Sequence, residues 1–113
     1  SYNFLKRNRD ELEEAIDYAA AAGLGVVAMK TMAGAYWDRE RTRPINTRAA
    51  LKWVLKNENI TTTVPDCSSF EQLEQDIDVM SDPELTENEI QDLFPSTDKI
   101  TSSLFCQQCG RCL

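Results

Sequence analysis

Cys106, Cys109 and Cys112 form a C-x2-C-x2-C run, the densest concentration of reactive side chains in the 113-residue sequence. Thiolates repeated at that interval let a tight loop aim three soft ligands at one centre. The same run opens bacterial-type iron–sulfur sites, where a fourth Cys follows three residues on, with Pro after it. Leu113 stands where that continuation would begin, so residues 106–113 are expected to hold an incomplete iron–sulfur motif whose missing ligand lies downstream. Zinc is the other candidate. A closed structural zinc site takes four N or S ligands, and with no His in the sequence the only further thiol is Cys67. Three incidental thiols at regular spacing are the least favoured reading, because free Cys is usually buried and rarely periodic. On its own, Cys67 reads as a small packed residue after a strand and a Pro, because no His is present to act as its base.

The elements that must carry these residues follow from periodicity. Asn8 and Glu11 have the form of a capping box, and Leu12, Ile16 and Ala19 or Ala20 recur at helical spacing until Gly23 offers a C-cap. Leu24–Met29 is a short apolar run of the kind found in buried parallel strands. A loop with Gly34, the charged run DRERTR and Pro44 follows, and Ala49, Ala50, Trp53 and Val54 then mark a second helix. Ile60–Val64 is rich in β-branched residues and stopped by Pro65. Ser68 with Glu71, or Ser69 with Gln72, opens a third helix with Phe70, Leu73, Ile77 and Met80 on one face, and Thr86 with Glu89 caps a fourth. Residues 95–105 read as a polar linker to the cysteines. Strands separated by helices imply right-handed crossovers and an α/β fold with a parallel sheet. Two strands are too few for a covered parallel sheet, so an excerpt from a larger barrel or doubly wound sheet is expected.

Bulk properties narrow the function classes. A composition of 42% apolar, 8% aromatic and 27% charged residues belongs to a globular protein rather than a disordered or disulfide-rich one. Net charge is −7, and no Lys or Arg falls between Asn57 and Asp98, which argues against a nucleic-acid partner. No apolar run approaches the roughly 20 residues of a membrane span, and the first residues lack a signal-peptide pattern, so no membrane association and a cytoplasmic location are expected. The sequence starts without Met, and a missing upstream part is expected for that reason.

Tyr2-Asn3, GLGVVAMKTMAG, AALKWVLKN, TTTVPDCSSFEQLEQDIDVM, LTENEI and FCQQCGRCL, in that order and spacing, resemble the C-terminal part of the aldo/keto reductases. The branch resembled is the one whose barrel is followed by a ferredoxin-like cysteine motif, and the match runs from Tyr2 to Leu113. The resemblance implies about the last two to three βα units of a (β/α)8 TIM barrel over residues 1–94, with an extra C-terminal helix and a cysteine tail. In it Tyr2-Asn3 would close strand six, Leu24–Met29 would be strand seven and Ile60–Val64 strand eight. The family's Asp, Tyr, Lys and His tetrad belongs to earlier strands, so no catalytic residue is assigned and this chain alone is not expected to transfer hydride. The parent would be an oxidoreductase acting on a small carbonyl substrate with NAD(P). Met29 would stack on the nicotinamide ring, with Lys30, Thr31 and Met32 in the loop beside it. Pro65, Asp66, Cys67, Ser68 and Ser69 would approach the adenosine phosphate, and Gln72, Gln75 and Asp76 would flank the adenine. Cys106, Cys109 and Cys112 would begin the ligand set of a 4Fe–4S cluster. Two positions depart from the family: Asp66 stands where Gly or Lys is usual, and Gln72 where many members have Arg. A non-redox zinc-binding or protein-interaction module is the alternative function, and open barrel edges would also invite self-association.

Overall fold

Short-range capping chemistry defines most of the element boundaries in the computed structural model, which describes residues 1–95. Helix α1 (Arg9–Ala21) carries Asp10 and Glu11 in its first turn, where carboxylates oppose the positive end of the helix dipole. It ends in a Schellman motif. Gly23 N–H donates to Ala20 O, Leu24 N–H donates to Ala19 O, and Gly23 takes φ +77°, which glycine reaches without a Cβ clash. The expected Asn8–Glu11 capping box does not form. Asn8 has ψ 41° instead of an extended value and makes no side-chain cap bond; its backbone carbonyl accepts from Leu12 N–H instead.

Strands β1 (Val27–Met29) and β2 (Thr62–Val64) pair in parallel, with Val27 opposite Thr62, Ala28 opposite Thr63 and Met29 opposite Val64. Both are shorter than the expected 24–29 and 60–64. At their entrance Val26 N–H donates to the Thr61 hydroxyl at 2.9 Å, and Val26 O accepts from Thr61 and Thr62, so a side chain takes one place in the ladder. Helix α2 (Thr47–Leu55) makes the crossover that a parallel pair requires, and the Asn46 side chain caps it by accepting from Ala49 N–H at 3.0 Å. The DRERTR run folds back as a tight loop. Asp38 accepts from the backbone N–H groups of Thr42 and Arg43, and Trp37 N–H donates to Arg43 O. Helices α3 (Phe70–Asp78) and α4 (Glu87–Leu93) follow, and α4 opens with the Thr86–Glu89 capping box expected of it.

The core has two parts. Tyr2, Ile16, Ala28, Val54 and Ile60 join α1, β1 and α2, while Phe4, Ala33, Ile45, Ala49, Ala50 and Leu93 join α2 to α4 and to the turn after Asn3. Trp53 packs against both and lies 5.2 Å from the Tyr2 ring. Burial of α2 is nearly all-round and includes Lys52, whose ammonium donates to Asp82 Oδ2 at 2.9 Å, Glu84 O at 2.9 Å and Glu89 Oε2 at 3.2 Å. All three of its protons are therefore placed.

Two apolar surfaces are left open among the described residues. Alternation along β1 turns Ala28 toward the helices and Val27 and Met29 away, and the register adds Val64 to that second face. Val27, Met29 and Val64 are 55%, 54% and 53% exposed, so the sheet is covered on one face only. The stripe Phe70, Leu73, Ile77 and Met80 also stays outside; α3 itself buries no residue, and its C-cap Val79 is the buried position at that end. The described residues thus form a small α/β unit of four helices and a two-stranded parallel sheet.

Candidate functional site

The parallel register fixes where the loops after the strands emerge. With Met29 paired to Val64, residues 30–32 and 65–69 leave the same end of two strands about 4.8 Å apart. These are the two segments to which the resemblance assigns a cofactor. Met29 presents its side chain on the uncovered sheet face beside Val64, a flat apolar surface.

The first loop is held by Asn3, which sequence reading did not single out as a site residue. The buried Asn3 side chain donates to Lys30 O at 2.9 Å and accepts from Leu5 N–H at 3.1 Å, while Tyr2 N–H donates to Met29 O. Lys30 is consequently fixed at φ 58°, a left-handed conformation that costs about 1–2 kcal/mol for a residue with a Cβ. Ala33 and Ala35 are also left-handed, at φ 51° and 66°, flanking Gly34 at 89°, so the loop coils tightly. Lys30 is exposed and Met32 half-buried, but Thr31 is only 1% exposed and its hydroxyl has no hydrogen-bond partner among the described residues.

The second loop caps itself. Ser69 Oγ accepts from Gln72 N–H at 3.3 Å, and Gln72 Oε1 accepts from both Ser68 N–H at 2.7 Å and the Ser68 hydroxyl. The sequence left Ser68 and Ser69 as alternative starts; both take part, because Gln72 reaches back one residue beyond the N-cap. Glu71 is held below the usual carboxylate range by its own backbone N–H and by the Ser69 hydroxyl. Three donors at this helix N-terminus, the N–H groups of Ser68, Glu71 and Gln72, are thus engaged within the chain. Pro65 is half-buried, and Asp66, free Cys67, Ser68 and Gln75 are exposed. Asp76 differs from them: its Oδ2 is buried without a partner among the described residues, and burial raises its pKa.

Tested against a nicotinamide dinucleotide, the two loops give different results. The Met29–Val64 surface suits an apolar ring. A 2′-phosphate does not fit at 65–72, where the exposed Asp66 and Glu71 add negative charge, amide donors are engaged, and no Lys or Arg lies between Asn57 and Asp98 in the sequence. A groove lined by Trp37, Pro44, Ile45, Asn46 and Asp92 includes no residue of either loop.

Cys106, Cys109 and Cys112, with the linker after Pro95, lie outside the described residues. Among the described residues no group of three or more His, Cys, Asp or Glu is placed to hold a metal ion, and no helix is long and apolar enough to cross a membrane. No protein-family model, curated protein or solved structure matches the chain.

Proposed function

We propose that this chain is the nicotinamide-facing portion of an aldo/keto reductase-like oxidoreductase barrel. Its complete form passes electrons between an iron–sulfur centre and a nicotinamide site and acts on a small carbonyl substrate. The supporting observation is the one-sided sheet: β1 and β2 are parallel, backed by helices on one face, apolar and open on the other, and both candidate loops leave from the same end. A closed parallel barrel supplies that face with the remaining strands and places its sites at that end.

In this reading Met29 and Val64 offer the ring an apolar seat. Asn3 fixes the Lys30 carbonyl and so sets the path of residues 30–33 beside it. Nicotinamide bound there supplies hydride chemistry and a cluster supplies single electrons. Because residues 65–72 do not suit a 2′-phosphate, the preferred cofactor is NAD over NADP. Cys106, Cys109 and Cys112 are cluster ligands, and thiolate ligands suit a cytoplasmic setting that keeps them reduced. On its own the chain does not catalyse hydride transfer.

Anaerobic reconstitution of the full chain with iron and sulfide tests this. A broad band near ~400 nm that is lost in Cys109→Ser is the expected result, as thiolate-ligated clusters absorb there. Stoichiometric tight zinc binding with no such band would replace the oxidoreductase reading with a zinc-binding module.

A further inference from the structure

The charged run between β1 and α2 keeps a strain that glycine would avoid. Residues 35–45 fold as a hairpin: Ile45 N–H donates to Ala35 O at 2.9 Å, Tyr36 pairs with Pro44, and Trp37 N–H donates to Arg43 O at 2.8 Å. Its base is fixed to the core by buried Ile45 and by Trp37, which meets Phe4 edge-on at 5.7 Å. At the tip Arg41 takes φ 57°, in the left-handed region where only glycine escapes a Cβ clash. Strain held at a residue with a long side chain suggests that the side chain is what is being placed.

The Arg41 guanidinium lies over the Tyr36 ring, 5.8 Å from its centroid. Stacked on that face, a guanidinium keeps its coplanar N–H edge for a planar anion, which two parallel hydrogen bonds can hold. Arg39 and Arg41 are exposed, and neither makes a hydrogen bond or ion pair among the described residues, whereas Arg48 is engaged by Asp82 at 3.3 Å and Glu89 at 4.0 Å. Asp38 does not neutralise them. Its carboxylate is turned back into the hairpin, accepting from Thr42 N–H at 2.8 Å, Arg43 N–H at 2.7 Å and the Thr42 hydroxyl at 3.1 Å; the Thr42 N–H does most to hold it below the usual carboxylate range. Glu40 is then left against Arg39, Arg41 and Arg43, so a chain of net charge −7 presents positive charge at this one tip.

We propose that Arg41, supported by the charge of Arg39, binds a carboxylate of the substrate. The inference rests on the oxidoreductase reading above and narrows its small carbonyl substrate to a 2-oxo acid or a similar carbonyl compound bearing a carboxylate. The hairpin belongs to the segment that begins with residues 30–32, at the end of the sheet where both candidate loops emerge, and a barrel builds its substrate-binding loops at that end. Tyr36 is a positioning residue: it holds the guanidinium plane and leaves the donors to the ligand.

The test is an NMR titration of the full chain under reducing conditions, following Tyr36 and Arg41 signals, with 2-oxoglutarate, its neutral dimethyl ester and pyrophosphate as probes. Saturable shifts with 2-oxoglutarate and none with the ester are expected, weakening as salt is raised. Arg41→Gly relieves the left-handed strain, so its thermal midpoint should hold or rise while binding weakens at least tenfold. Arg41→Lys keeps the charge without the fork and should bind less tightly than the parent chain. Equal shifts with acid and ester, no saturable shift, or unchanged binding in Arg41→Gly would overturn the proposal. Preference for pyrophosphate would overturn it too, because the tip would then take a phosphate rather than a substrate carboxylate. The titration needs neither a cluster nor hydride transfer: a chain that binds 2-oxoglutarate but gives no band near ~400 nm keeps the carboxylate site and loses the oxidoreductase reading, and the converse result loses only the site.

Discussion

Replacing Leu93 by Ala removes the side chain that seats α4. Leu93 is fully buried against the cluster of Phe4, Ala33, Ile45, Ala49 and Ala50, while Ile90, one turn earlier on α4, is 45% exposed. Truncating a buried Leu loses both transfer free energy and the contacts lining the new cavity, about 2–5 kcal/mol in well-packed sites. Ile90→Ala loses roughly half of a side chain's burial, about 1 kcal/mol. A helix of seven residues is far too short to persist undocked, so the loss at Leu93 is not recovered by α4 holding its own conformation. With about 4–8 °C of midpoint per kcal/mol for a domain of this size, Leu93→Ala should melt at least ~8 °C lower by circular dichroism. Urea unfolding should show the same ordering with an unchanged slope. If Leu93→Ala lost no more than about 1 kcal/mol, or matched Ile90→Ala, the view that Leu93 docks α4 would be refuted.

Other expectations follow from particular contacts. Asn3→Ala removes the buried side chain that bridges Lys30 O and Leu5 N–H and should cost about 1–3 kcal/mol, whereas Lys30→Gly relieves the left-handed strain and should stabilise by up to about 1 kcal/mol, both read by urea denaturation. Asp82 is held low chiefly by hydrogen bonds from Lys52 and Arg48. Burial pushes Glu89 up, but hydrogen bonds from Thr86 and Lys52 outweigh it and hold it low as well. Stability from both carboxylates is present above their ordinary values near ~4 and lost as pH falls through the lower folded values. Burial likewise opposes the Lys52 charge, but its bonds to Asp82 and Glu89 raise its pKa, so that contribution is full below ~10 and lost as pH rises through the higher folded value. Lys52→Met should flatten the acid limb of a melting-temperature profile, and an unchanged limb would remove the ion cluster from its cause. Under the proposed function, Gln72→Arg combined with Asp66→Lys should raise the affinity of this chain for NADP relative to NAD in fluorescence titration; no change in that ratio would place the 2′-phosphate elsewhere.

What the sequence made legible was local. Thr86 with Glu89 specified a capping box because both partners lie within one turn, and Gly23 specified a helix end for the same reason. Asn8 with Glu11 had the same form and failed, since a cap needs an extended backbone at the capping residue as well as the right side chain. Periodicity placed Phe70, Leu73, Ile77 and Met80 on one face without saying which way that face points; in the fold it is exposed, while the C-cap Val79 is buried. Lys52 stood out only as a cation within AALKWVL, and its partners lie 30 to 37 residues away, beyond any local pattern. Asn3 and Lys30, 27 residues apart, were invisible for the same reason. The loop residues Met29–Met32 and Pro65–Ser69 were singled out by resemblance, and the parallel pairing of the strands brings both segments to one end.

The crossover between the strands also carries a kinetic consequence. Val26 and Thr61 meet across 35 residues, so no part of the ladder can zip until that loop has closed. Helices such as α2 relax on the microsecond scale, whereas strands of three residues gain little until both ends arrive together. The geometry at the end where residues 30–32 and 65–69 emerge should then be acquired late on folding and given up early. Amide exchange at Ala28 and Thr63 would time that event directly.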